Sequence, residues 1–288
     1  AGAQGWKVLR TPDGRPDLQG VWGNNSVTPM TRPRQWKDKA SLTDAEVEEM
    51  KQLSARFVDQ GGDAIFGNFI QQMLDARDQG SFAQVSYDPT TGNYNQFWMA
   101  DREWDQRTSL ITDPADGQFP PLTPEAEARR EAARTAVRSR GPADGPEDRP
   151  LSERCISYGA PRTGANYNSY VQIVQSPQTV VLLQEMIHDA RVIPLDGRPH
   201  VGKAIGQYLG DSRGRWEGDT LVVETVGIKE DLGLTVATRG PVPAHSAKLR
   251  VLERIRLDPK NPDSLIVEMT LDDPEALAEP YKQTLAYR

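Results

Sequence analysis

The sequence predicts a mainly β protein, an antiparallel up-and-down meander closing into a lipocalin-like barrel with a few peripheral helices. Three observations predict it. Short β-rich runs fill the C-terminal two-thirds: 94–100, 108–112, 170–175, 179–186, 190–195, 213–216, 220–226, 249–257, 264–271 and 281–287. Turn-forming residues stand between many of them, at Ser176-Pro177, His188-Asp189, Asp196-Gly197, Glu217-Gly218-Asp219 and Pro259 to Pro262,. Most gaps are of hairpin length, whereas a parallel crossover needs a dozen residues or more. A β-sandwich is the other arrangement these strands allow.

Helices are expected only at the periphery. Thr43-Asp44-Ala45-Glu46 is a capping box, in which the Thr and Glu side chains satisfy the first free amides of a helix,. Val47, Met50, Leu53 and Phe57 follow at helical spacing and give that helix one buried face,. A second helical piece is expected over 65–76. A third starts at Thr123-Pro124-Glu125 and fades near Ser139, with polar residues outside and a thin alanine stripe inside,. Residues 5–40, rich in Pro, Arg and Trp, read as an extended arm. The expected organisation is therefore an arm with helices over 1–93, packed on a barrel over 94–288 that carries a helical insertion near 123–139, the two forming one unit.

Composition narrows the function. Hydrophobic residues make up 37% and charged residues 26% of the 288, the balance of a soluble globular chain,. No run approaches the ~20 apolar residues of a membrane-spanning helix, so membrane insertion is not expected. The net charge of −7 is spread among interspersed residues, which leaves no basic face for nucleic acid,. Cys155 is the only cysteine, so no intramolecular disulfide can form,. The three histidines, His188, His200 and His245, stand far apart and in no metal-ligand spacing,. There is no phosphate loop, dinucleotide fingerprint or nucleophile elbow. No cofactor is expected.

Three breaks in the strand pattern mark candidate site residues. Leu249, Val251, Ile255 and Leu257 share one face of a strand, and Glu253 shares it with them,. An inward carboxylate is expensive unless paired. It is either held in a structural ion pair with an inward Arg or is the acid or base of a pocket. The second break is Glu185-Met186-Ile187-His188-Asp189-Ala190-Arg191, four ionisable groups in an otherwise apolar hairpin. His188 with Asp189, Glu185 or Glu253 would make an acid–base pair, with Arg191 as anion stabiliser. A plain polar turn with a surface Arg191 explains the same residues. The third is aromatic and amide-rich: Tyr94, Asn95 and Trp98, with Tyr167 and Asn168, suit a small aromatic or hydrophobic ligand at a barrel mouth,. Ordinary β-propensity accounts for them equally.

Four phrases are distinctive: Arg10 to Trp22 (RTPDGRPDLQGVW), Pro146 to Leu151 (PEDRPL), Glu185 to Arg191 (EMIHDAR) and Arg215 to Glu224 (RWEGDTLVVE). Through them nearly the whole chain resembles a large family of exported, mostly uncharacterised bacterial proteins. The resemblance implies a periplasmic or secreted protein whose signal peptide has been removed, and the start at Ala1-Gly2-Ala3 without Met is compatible with that,. It also implies a link to cofactor-independent lyases that release formaldehyde from lignin-derived aromatic dimers. That activity needs a base for a hydroxyl proton (His188 or Glu253), a cation for the developing phenolate (Arg191) and ring contacts (Tyr94 or Tyr167). A non-catalytic carrier of a hydrophobic molecule would use the same pocket. A hydrolase would need facing carboxylates or an activated nucleophile, for which the sequence offers only loose candidates. A homodimer is compatible with the sequence, which does not fix the oligomeric state.

Overall fold

The computed structural model describes residues 7–59, 69–81, 102–138, 144–146, 151, 154–157, 159, 161–164, 168–202, 205–229 and 245–288. Its helices form where caps and spacing require. The first, α1 (Asp44–Asp59), is opened by the reciprocal capping box: Glu46 N–H donates to Thr43 Oγ1 at 3.3 Å, and Thr43 N–H to the Glu46 carboxylate at 2.8 Å,. It packs against α2 (Phe69–Gln79) through Met50, Phe57, Phe69, Met73 and Leu74, a small apolar cluster of its own. The expected start of the second helix, at 65, lies outside the described residues. The third helix, α3 (Pro124–Arg138), is capped by Thr123 Oγ1 and buries Ala126 in the main core. No helix among the described residues is long and apolar enough to cross a membrane.

The strands form two antiparallel sheets. One has four strands in the order β1 (Gly20–Gly23), β3 (Tyr170–Ser176), β4 (Thr179–Gln184), β5 (Ala190–Pro194). The other has six: β2 (Ile111–Asp113), β10 (Tyr281–Tyr287), β9 (Asn261–Asp272), β8 (Arg250–Asp258), β7 (Thr220–Val226), β6 (Asp211–Glu217). The mainly β, antiparallel expectation holds. A closed barrel is not found among the described residues, where no continuous ladder joins the sheets. Within 5–40 the structure adds a strand, β1, that the sequence did not suggest. Four residues that begin and end in glycine are too few to show a period, and pairing with β3 makes them a strand,. The run 94–100 lies outside the described residues.

The sheets still meet along two seams. At one, Gly23 and Arg288 exchange backbone hydrogen bonds of 2.7 and 2.9 Å, linking the ends of β1 and β10. At the other, β5 lies against β6. Both contain a glycine whose missing side chain leaves room for a neighbouring one. A Cβ on Gly23 would stand 2.8 Å from the Tyr170 ring, and one on Gly214 would stand 2.6 Å from Leu195 Cδ2 and 2.8 Å from Ile193 Cγ2. Between the seams the inner faces share one core, with Val171, Ile173, Val180 and Leu182 opposite Val251, Ile255, Val267 and Leu285.

The Gly214 seam gives a stability test. Gly214→Val should destabilise the protein by about 1–3 kcal/mol, the usual cost of overpacking, measured as a lowered urea midpoint. An unchanged midpoint would show that β5 and β6 can separate freely.

Candidate functional site

Alternation along β8 turns Val251, Glu253 and Ile255 to the interior and Arg250, Arg254 and Arg256 outward,. Leu249 is buried on the same inward side, and Leu257 is half-buried at the far end. Across the ladder Glu253 faces Val223 on one side and Met269 on the other, both buried. Its own sheet therefore offers its carboxylate no directly opposed polar neighbour.

The partner comes from the other sheet. On β5, Arg191 and Ile193 point inward, and Arg191 lies across from Leu182 of β4. Arg191 Nη2 donates to Glu253 Oε2 at 2.6 Å, with side-chain exposures of 7% and 3%. Burial pushes the Glu253 carboxyl above its ordinary range, and the Arg191 charge and hydrogen bond pull the other way,. Arg191 Nε is buried with no hydrogen-bond partner among the described residues, a donor whose desolvation costs about 1–3 kcal/mol,.

A cavity lies beside the pair. The room inside it for the centre of a water-sized sphere is about 30 Å³, and its empty volume of about 390 Å³ includes open solvent. Arg162, Gln184, Arg191, Glu253 and Tyr287 supply its polar wall, and residues such as Val171, Leu182 and Val267 its apolar one. This is the composition of a small-molecule site, mostly apolar with a few convergent polar groups. Tyr287 is buried at the end of β10. Burial raises its phenol; Arg162, Asn24 and Arg191 act against that, and Glu253 adds to it. It therefore stays a neutral hydrogen-bond donor at physiological pH. The segment 161–164 closes one side: Arg162 Nη1 donates to the Asn168 carbonyl at 3.2 Å, and Gln283 Nε2 to the Thr163 carbonyl at 2.9 Å.

The other expected residues lie elsewhere. His188 is exposed at the tip of the turn after β4, where Ile187 (φ 61°) and His188 (φ 49°) are both left-handed. It precedes β5, so the alternation that turns Arg191 inward does not act on it, and it does not line the cavity. Asp189 accepts a hydrogen bond from Ser157 Oγ at 3.1 Å, and the exposed Glu185 carboxylate accepts one from Tyr170 N–H at 3.4 Å. Asn168 is half-buried, with its amide 4.0 Å from Met186 Sδ. Thus only Glu253 and Arg191 of the expected acid–base set meet in the cavity wall. Tyr94, Asn95, Trp98 and Tyr167 lie outside the described residues.

The sequence reading missed Tyr287, Arg162 and Gln184. Tyr287 had a signal, since it shares an alternating face with Tyr281, Gln283 and Leu285. Arg162 stands in an irregular loop with none. Among the described residues no three or more His, Cys, Asp or Glu side chains are grouped so as to hold a metal. No family model matches the chain, and no curated protein matches it.

The pair invites a double-mutant cycle. Arg191→Met should cost about 3–5 kcal/mol in urea unfolding, because it leaves a carboxyl buried without its cation, and Arg191→Met with Glu253→Met should recover most of the loss. Linkage supplies a pH test. A carboxyl raised in the folded state contributes stability that is full below its unfolded pKa and is lost as pH rises through the folded value. The stability of the protein relative to Glu253→Gln should therefore fall as pH rises above the ordinary Glu range,. A constant difference would place Glu253 in an unperturbed environment.

Proposed function

We propose that the protein is a cofactor-independent acid–base lyase that takes a small aromatic or phenolic molecule, of the lignin-derived kind, between its sheets and releases formaldehyde. The observation that carries this reading is a buried carboxylate with raised proton affinity, held by a guanidinium on the wall of a largely apolar cavity. A general base works best when its pKa lies near the operating pH, and burial moves Glu253 in that direction. The two sheets would act as a lipocalin-like cup around the ligand. The sequence resemblance supports an exported, periplasmic or secreted protein.

The chemistry balances without a redox partner. Glu253 removes the proton of a hydroxymethyl O–H, and the oxygen lone pair becomes the C=O bond of formaldehyde. The carbon–carbon bond to the hydroxymethyl group breaks, and its electron pair forms a C=C bond while the adjacent aryl ether C–O bond opens. The aryl oxygen leaves as a phenolate. Arg191, through its unpaired Nε–H, and the neutral Tyr287 phenol are the donors that hold the new negative charge,. Proton return from Glu253 gives the phenol and restores the carboxylate.

The test is formaldehyde release from phenolic dimers that carry a hydroxymethyl group one carbon from the aryl ether carbon. Glu253→Gln should lower turnover roughly 10²–10⁴-fold and change ligand affinity little. His188→Ala should leave turnover unchanged. The rate should rise with pH and level off, because only the ionised carboxylate accepts a proton, and its midpoint should lie above the ordinary Glu value,. Dialysis against a chelator should leave the rate intact, and restoration by an added divalent ion would overturn the cofactor-free reading. If these ligands bind but give no product, the protein is a carrier of hydrophobic molecules.

A further inference from the structure

The cavity wall holds one polar side chain that the proposed reaction does not use. Gln184 ends β4, two residues beyond Leu182 on the same inward face, and lies across the ladder from Val171,. Its backbone is held on both sides: Gln184 N–H donates to the Asp189 carbonyl at 2.8 Å, and Glu185 N–H to the Tyr170 carbonyl at 3.0 Å. Strand alternation therefore sets the direction of the side chain, which lines the cavity and is half-buried. The other polar groups of the wall are committed. Glu253 and Arg191 hold each other, Arg162 Nη1 donates to the Asn168 carbonyl, and Tyr287 serves the phenolate of the proposed reaction. Among the described residues the side-chain amide of Gln184 has no hydrogen-bond partner.

We propose that Gln184 selects the ligand, by binding a hydroxyl on the far side of an aromatic ring from the group that lies beside Glu253. The inference rests on the reading of this cavity as the ligand site, and it holds for an enzyme and for a carrier alike. A primary amide presents an N–H donor and a carbonyl acceptor in one plane and carries no charge. It suits a hydroxyl, which also both donates and accepts, better than it suits an ion. Without a partner in a largely apolar wall, the desolvation of this amide goes uncompensated until a ligand supplies one. Spacing fixes where the hydroxyl must lie. Arg191 stands opposite Leu182, and Gln184 is the next inward position along β4. Inward positions on a strand recur about every 6.6 Å, close to the span of a six-membered ring substituted at both ends. A ligand whose hydroxymethyl arm reaches the Arg191–Glu253 pair thus brings its para oxygen to Gln184. The walls suit the ring itself. Val171 and Leu182 on one sheet and Ile255 and Val267 on the other are apolar, and the narrow room between them admits a flat group more readily than a globular one,.

The experiment is an affinity measurement by amide chemical-shift titration with two probes, 4-hydroxybenzyl alcohol and benzyl alcohol, which differ only in the ring hydroxyl. The protein should bind the hydroxylated probe about tenfold more tightly, the factor that a hydrogen bond to an otherwise unsatisfied group carries. Gln184→Met keeps the length of the side chain and removes the amide, and the two affinities should then agree within about twofold. Gln184→Leu should do the same, so failure of one variant to fold, read by far-UV circular dichroism, leaves the other to decide. A merely structural role would weaken both probes equally and leave their ratio unchanged. A ratio that survives both substitutions overturns the proposal, as does equal binding of the two probes, or binding of neither, by the unaltered protein. The reaction is judged separately. Formaldehyde released at equal kcat/KM from dimers with and without the ring hydroxyl sinks the role of Gln184 and keeps the lyase. A Gln184-dependent ratio with no formaldehyde keeps the role and sinks the lyase.

Discussion

Arg191 and Glu253 lie on different sheets, and among the described residues each is the other's salt-bridge partner. Arg191 is on the inner face of β5, beside Leu182, and Glu253 is on the inner face of β8, between Val223 and Met269. Separated, each would leave a charge in an apolar layer at a cost of several kcal/mol. Together they tie one sheet to the other where no backbone ladder does. The pair also enforces register. A one-residue slip of β8 would turn Glu253 outward and bring Arg254 in its place, setting two guanidinium groups against each other. Replacing the pair by hydrocarbon could give an equally stable protein. What hydrocarbon would not supply is a directional constraint between the sheets or a proton acceptor beside the cavity.

The seams determine what kind of container the sheets make. Gly23 with Arg288, and Gly214 beneath Leu195 and Ile193, bring the sheet edges together without a continuous ladder. A fully hydrogen-bonded cylinder has few ways to open, whereas sheets that touch at narrow seams can part locally. The segment 161–164 borders the cavity between them, with Pro161 and Arg162 in its wall. On the proposed reading, entry of a ligand and exclusion of water involve the loop that carries Arg162.

Much of this was legible in the sequence because strand alternation is a physical record of which side is dry. The hairpins β3–β4, β6–β7 and β8–β9 follow from apolar runs separated by Pro177, Gly218 and Pro259, and the inward position of Glu253 follows from its phase with Val251 and Ile255. That record does not extend to His188, which was read from the cluster of ionisable groups in its hairpin. A turn has no alternation, and two successive left-handed residues aimed its side chain by backbone geometry that composition does not encode. Whether the sheets close was also illegible, because it depends on which edges meet between strands far apart along the chain, such as β1 and β10. The partner of Glu253 could be named only as some inward Arg. Choosing Arg191 required knowing that β5 and β8 face each other, a relation between strands 62 residues apart along the chain.

The outer face of the four-stranded sheet and the inward Arg191 share a strand, and this couples them. In β5, Val192 points outward between Arg191 and Ile193, which point inward. One sheet thickness therefore separates solvent from the guanidinium that holds Glu253. β5 is held on one side by its ladder with β4 and lies on the other side against β6 at Gly214, so the position of Arg191 depends on how closely those two strands approach. The four-stranded sheet is thin for that task, with β1 four residues long and β5 five. On the proposed reading, in which Glu253 is the general base, that seam sets how steadily the hydrogen bond from Arg191 holds the carboxylate while the proton moves.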